Sequence, residues 1–171
     1  TRPLGPVAFA IGLLAIVIAI GASLMLSLEK FDILKLPGCG AGSGCGKAGA
    51  SALGNIPIPG TDTAWPLAFL GTAYFIALGA AWIVNRRGIS TALRLVLVFG
   101  GMGSLFYITV MLANPDYFCI YCLTAHISNF VVIIVALAAG GFSPRSEATP
   151  WTRPFYTPYR ADDSPRSSHG Y

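Results

Sequence analysis

Four stretches of this 171-residue chain contain no Asp, Glu, Lys or Arg, and each is long enough to cross a lipid bilayer: Val7–Leu28, Trp65–Val84, Leu95–Ala113 and Tyr117–Phe142. A hydrocarbon core about 30 Å thick is spanned by about 20 apolar residues rising 1.5 Å each. Inside lipid every backbone N–H and C=O must be satisfied within the segment, so these stretches are predicted to be helices. The first is too long for the apolar core of a signal peptide, roughly 7–15 residues, and no A-x-A-like cleavage site follows it. Composition points the same way. Charged residues make up 11% of the chain, against about 25% in an average soluble domain, and mean hydropathy is +0.67. The expected fold is an all-α integral membrane protein, a four-transmembrane-helix bundle with helices at about 7–28, 65–84, 92–113 and 117–140. The net charge of +4 then bears on orientation in the bilayer, and no nucleic-acid partner is expected.

The connections divide the chain. Residues 29–64 form a long loop rich in Gly and Pro between the first and second helices. Residues 85–94, "NRRGISTALR", are short and basic, and "NP" at 114–115 breaks the chain before the last helix. A membrane domain is expected over 1–142. A proline-rich polar tail of coil or linker character is expected over 143–171. With the N-terminus in the cytoplasm, Arg2, Arg86, Arg87, Arg94, Arg145, Arg153, Arg160 and Arg166 fall on one side and Lys30, Lys35 and Lys47 on the other. That arrangement satisfies the positive-inside rule. Both termini are then expected in the cytoplasm of a bacterial inner membrane, and the long loop in the periplasm, where disulfides persist.

Four cysteines come in two pairs, Cys39 with Cys45 in the loop and Cys119 with Cys122 at the head of the fourth helix. The predicted topology brings all four to one side. "CIYC" is a C-x-x-C at a helix N-terminus, where free amides and the helix dipole favour the reactive thiolate. At 100° per residue, Cys119, Cys122, His126 and Asn129 fall within one arc of the fourth helix. Polar groups of a membrane helix face a bundle interior or a cavity. The pattern predicts a pocket with a dithiol at its top and an imidazole and a carboxamide deeper in, suited to an amphipathic acceptor such as a quinone. Four cysteines allow three pairings, and two other arrangements fit the same spacing: an all-thiolate zinc site, or two inert structural disulfides.

These residues resemble the vitamin K epoxide reductase family in its bacterial form. The likeness rests on a spanning helix followed by C-x5-C (Cys39, Cys45), Ser51 six residues on, "CIYC" opening the fourth helix, and Asn129 seven residues after Cys122, over about residues 7–140. It implies a quinone-dependent thiol-disulfide oxidoreductase with Cys39, Cys45, Cys119 and Cys122 as catalytic residues. Cys39 would receive electrons from a periplasmic thioredoxin-like protein, Cys45 would exchange with Cys119, and Cys122 would face the quinone. Ser51, His126 and Asn129 would form or support the substrate site, with no metal. The vertebrate enzymes have a tyrosine where this chain has His126, and an asparagine near the start of the second helix where this chain reads "WPLAFLG". The expected substrate is therefore a respiratory or photosynthetic quinone, ubiquinone or menaquinone, rather than the vitamin K epoxide. Some bacterial members carry a thioredoxin-like domain after a fifth helix; here the partner is expected to be separate or lost by truncation.

The aromatic residues of the tail, Trp151, Phe155, Tyr156 and Tyr159, support an alternative in which the chain is a non-catalytic subunit of a larger respiratory or photosynthetic complex with the same fold. The glycines of "GCGAGSGCGKAGAS", residues 38–51, predict a slack loop that lets Cys45 swing between partners, since glycine opens backbone regions closed to other residues. On this reading, alanine at Gly42 and Gly44 slows turnover more than it destabilises the bundle.

Overall fold

A computed structural model describes residues 4–139 apart from 41, 62 and 87. The expected tail at 143–171 lies outside the described residues. Along the chain run α1 (Pro6–Lys30), α2 (Gly44–Ala50), β1 (Asn55–Pro57), β2 (Ala64–Pro66), α3 (Leu67–Val84), α4 (Thr91–Ala113), a 3-10 turn (Pro115–Tyr117) and α5 (Ile120–Ala138). Four of these, α1, α3, α4 and α5, are long and apolar enough to cross a membrane. They pack as an all-α membrane bundle, with their exposed apolar side chains, among them Leu14, Phe99, Met102 and Leu105, turned to lipid.

The helix ends follow local chemistry. Pro6 opens α1, where its fixed φ suits the first turn and its missing N–H costs nothing. Beyond Lys30, Asp32 takes a left-handed φ of 56° and its N–H closes on Glu29 O at 3.0 Å, ending the helix. Ser90 caps α4 by accepting from Leu93 N at 3.3 Å. Cys119 stands as the N-cap of α5 in an extended conformation.

α1 is the centre of the bundle, packing on α3 and α5, while α4 packs chiefly on α5. The contact face of α1 is made of small residues, Ala15, Ala19, Ala22 and Ser23, all buried. In lipid, helices associate through such close packing rather than through hydrophobic expulsion from water. Ser27 Oγ meets Thr72 Oγ1 at 3.1 Å and ties α1 to α3. The main core is built around Ile16, Leu78, Trp82, Leu97 and Val132. Trp82 is wholly buried and its Nε1 donates to Phe9 O at 3.2 Å. It fits because Gly12 opposes it: a Cβ at Gly12 would run into the indole ring.

A second, smaller core lies at one end of the bundle and contains Leu36, Cys39, Cys45, Met111 and Cys119. The long loop folds over this end, and here the structure departs from the expected slack coil. Residues 44–50 form α2, and β1 pairs antiparallel with β2, Ile56 opposite Trp65. The pairing takes residues 65 and 66 out of the second helix, which starts at Leu67.

Gly12→Ala is expected to destabilise the bundle by roughly 1–3 kcal/mol, the usual range for an overpacked core. Gly21→Ala, whose added Cβ meets nothing within 4 Å, is expected to leave stability unchanged or slightly raised. Thermal unfolding of the two variants in detergent checks the difference.

Candidate functional site

The position of Cys45 depends on α2. A seven-residue helix containing three glycines, GCGKAGA, has poor intrinsic propensity, so its ends and neighbours hold it. Ser43 caps the start, accepting from Gly46 N at 3.1 Å and donating to Gly40 O at 2.6 Å. At the other end Lys30 Nζ donates to Gly49 O at 3.1 Å, a cation set against the negative end of the helix. Asn55 Nδ2 donates to both Gly49 O and Ser51 O, at 2.8 and 2.9 Å. Ser51 donates to Ala48 O at 2.8 Å and accepts from Leu53 N at 3.2 Å. Its hydroxyl thus secures the end of α2 and is spent on the loop's own backbone.

Two contacts press α2 against the segment that leads into α5. Lys47 Nζ pairs with Asp116 Oδ1 at 2.9 Å, and its hydrogen bond and charge hold the exposed Asp116 carboxyl below the usual carboxylate range. A group with a lowered folded pKa stabilises the contact at pH above its ordinary value, and the contribution is lost as pH falls through the lowered value. The second contact is steric. Gly44 lies directly on the backbone of Phe118, and a Cβ there would collide with the Phe118 carbonyl and amide.

This docking sets the sulfur geometry. Cys39 and Cys45 are joined in a disulfide, with Cα atoms 4.8 Å apart. Cys119 and Cys122 are free thiols. Cys119 Sγ lies 3.5 Å from Cys45 Sγ in a buried contact. It also accepts from Cys122 N at 3.2 Å, so the sulfur caps its own helix. The Cys122 thiol hydrogen-bonds to it and holds the Cys119 thiol below its ordinary value. Burial opposes this; the Cys122 and Tyr121 amides assist, and the Glu29 carboxylate works against. Cys119 is therefore a thiol of raised acidity in contact with one sulfur of a disulfide, which is the arrangement thiol–disulfide exchange requires. Among the described residues no group of three or more His, Cys, Asp or Glu is placed to hold a metal ion.

Cys119 and Cys122 face different neighbours. Cys122 opens onto a cavity of about 340 Å³ between α1, α3, α4 and α5, roofed by α2 and the chain after it. That volume is in the range of small-molecule sites, about 300–1,000 Å³. Leu26, Leu70, Phe75, Val110 and Met111 supply apolar walls, and Ser104, Tyr107 and His126 supply polar groups. The His126 ring stacks on Tyr107, centroids 5.6 Å apart and planes 6° apart. Tyr107 Oη in turn donates to Leu53 O at 3.1 Å, joining the cavity wall to its roof. Asn129 is fully buried and stands behind the wall, bonded to Tyr74 and Ser104.

The structure thus brings Cys39, Cys45 and Cys119 into one cluster and places Cys45, Cys122 and His126 on one cavity. Ser51 is apart from the cavity wall, and Asn129 reaches it only through other side chains. Tyr74, Ser104 and Tyr107 were absent from the sequence reading. They lie inside charge-free spans; the rule that picks out His126 and Asn129, that polar groups in a membrane helix face inward, applies also to Ser104 on α4, while a tyrosine in such a span carries no comparable signal.

The family model described as "Vitamin K epoxide reductase family" matches residues 9–137 of the chain. No curated protein and no solved structure matches it.

Gly44→Ala is expected to push α2 off Phe118 and slow exchange between the two cysteine pairs by about tenfold or more, the equivalent of roughly 1.4 kcal/mol. Gly42→Ala, with open space around its Cβ, is expected to exchange normally. Lys47→Ala removes only an exposed ion pair, worth at most about 1 kcal/mol, so a slowing of no more than roughly fivefold is expected. Rapid-quench alkylation of the thiols, read by mass, measures all three rates.

Proposed function

The chain belongs to the vitamin K epoxide reductase family, whose members are membrane redox enzymes, and from that premise we propose that it passes two electrons at a time from a thioredoxin-like dithiol to a quinone. The observation that carries the reading is the 3.5 Å contact between Cys119 Sγ and Cys45 Sγ, each belonging to a different redox pair. Cys39, bonded to Cys45 and at the loop end of the cluster, is the sulfur that meets the incoming dithiol. Cys122, on the cavity, is the sulfur that meets the quinone.

The steps balance. The partner's two thiols reduce the Cys39–Cys45 disulfide, leaving a disulfide in the partner and two thiols in the loop. The Cys45 thiolate then attacks Cys119 of a Cys119–Cys122 disulfide, and Cys122 leaves as a thiolate. Attack by Cys39 on Cys45 in the resulting Cys45–Cys119 linkage releases Cys119 and restores the loop disulfide. Cys119 and Cys122 are now both reduced, which is the distribution of sulfur states described above. Oxidation of this dithiol gives two electrons and two protons, and a quinone takes up both to become a quinol. The apolar cavity suits the ring and the start of an isoprenoid tail, with His126 at hand for a carbonyl oxygen. Ser51 supports the relay by securing α2, and Asn129 acts through its neighbours on the cavity wall. A periplasmic location of the cysteines, with both termini cytoplasmic in a bacterial inner membrane, agrees with this chemistry.

Cys122→Ser gives the sharpest test. Cys119 can attack the adjacent Cys39–Cys45 disulfide at Cys45 and release Cys39, and with no Cys122 thiol left to compete for Cys119 only the return attack of Cys39 on Cys45 undoes the linkage. A Cys45–Cys119 peptide pair in non-reducing digests, together with loss of quinol formation, is expected. Quinol formation at the normal rate in this variant would sink the relay.

A further inference from the structure

Four side chains from three helices form one continuous hydrogen-bond chain beside the cavity. Tyr74 Oη donates to Asn129 Oδ1 at 3.2 Å, Asn129 Nδ2 donates to Ser104 Oγ at 3.0 Å, and Ser104 Oγ meets His126 Nδ1 at 3.1 Å. Gly100 makes the first link possible, because a Cβ at that position would occupy the space of the Tyr74 hydroxyl. The far nitrogen of the imidazole, Nε2, has no hydrogen-bond partner among the described residues, and His126 lines the cavity.

The chain has a direction. An amide oxygen only accepts and an amide nitrogen only donates. With Asn129 Oδ1 taking the phenolic proton, its nitrogen donates to Ser104. Ser104 then has one proton to give, and the acceptor beside it is His126 Nδ1. With that bond made, the nitrogen carries a lone pair and the ring proton resides on Nε2; an Nδ1–H donating to the second lone pair of Ser104 Oγ would instead leave the Ser104 proton without a side-chain acceptor among the described residues. Turning the amide over reverses every link. Ser104 would then donate to Asn129, His126 Nδ1 would hold the proton, and the Tyr74 proton would have no acceptor among the described residues. An unsatisfied polar group of this kind disfavours the reversed arrangement by about tenfold or more in population.

We infer that Tyr74, Asn129 and Ser104 act as positioning residues that fix His126 as the Nε2–H tautomer, so that the cavity offers an N–H donor to an oxygen acceptor on its ligand. The inference rests on reading the cavity as the quinone site and adds its selectivity. A carbonyl oxygen of an oxidised quinone accepts this bond and becomes the better electron acceptor for it, and the chain must rearrange before His126 can accept a proton from a hydroxyl at the same place.

The test reads the tautomer directly. The chain has two histidines, so His169→Gln leaves one imidazole to observe by 15N NMR in full-length protein labelled at histidine. The expected spectrum has a proton-bearing Nε2 and a bare Nδ1, and the Nε2 signal shifts when a water-soluble short-chain ubiquinone is added. Asn129→Asp offers acceptors to both Tyr74 and Ser104 and is expected to move the ring proton to Nδ1 and raise the KM for quinone about tenfold. Ser104→Ala, a second variant should the aspartate disturb folding, is expected to give a mixture of tautomers, and Ser104→Thr is expected to restore the single form. A wild-type Nδ1–H tautomer, or one indifferent to both Asn129→Asp and Ser104→Ala, overturns the inference while leaving the cysteine relay intact. An Nε2 signal unmoved by saturating quinone overturns the donor role even with the tautomer as expected.

Discussion

A sulfur held 3.5 Å from one member of a disulfide reacts only if both sides of the contact are kept in place, and most of the cysteine end of this protein is arranged around that requirement. On one side, α5 begins at Cys119 and uses its sulfur as a cap, so the thiol cannot turn away without uncapping the helix. On the other side, α2 carries Cys45 and has little helical tendency of its own. It is held by Ser43, Lys30, Asn55 and Lys47. The two sides meet where Gly44 lies against Phe118. Burial of the sulfurs keeps water from this contact and opposes ionisation, while the Cys122 thiol hydrogen bond offsets that opposition at Cys119.

The second consequence is a division of labour within three residues. Cys119 has extended backbone angles as the cap, whereas Cys122 lies inside the first turn. The same C-x-x-C can therefore touch the loop disulfide with one sulfur and the cavity with the other. On the proposed relay, electrons would need to cross only this one short segment to pass from the loop pair to the cavity. The cavity contains polar groups at few points, and the chain of Tyr74, Asn129, Ser104 and His126 links some of them by hydrogen bonds.

The bundle was legible in the sequence because lipid leaves a charge-free span of this length no alternative to a helix. His126 was legible for a related reason, since a polar group in such a span has to face inward. Asn129 was legible as inward-facing, but its distance from the cavity wall was not, because helical periodicity gives an angle and not the depth of a side chain behind its neighbours. The glycine-rich loop misled most. Its composition pointed to slack coil, yet Gly44–Ala50 is helical, since capping and docking on the 3-10 turn override weak propensity. Gly44 serves close approach rather than swing, a role that depends on Phe118, 74 residues further along, and no local pattern announces it. Tyr74 and Tyr107 were equally hidden, for an aromatic in an apolar span looks the same whether its hydroxyl faces lipid headgroups, a cavity or a buried amide.

The central claim is that electrons pass between the pairs through a Cys45–Cys119 bond. A single turnover of the unmodified protein tests it most directly. Membranes holding the Cys119–Cys122 disulfide are mixed with a reduced thioredoxin-like dithiol and quinone, quenched at intervals by thiol alkylation, and digested without reductant. The account predicts that a Cys45–Cys119 peptide pair rises after the loop is reduced and decays as quinol appears. Quinol forming at its full rate while that linkage stays undetected at every interval would contradict it.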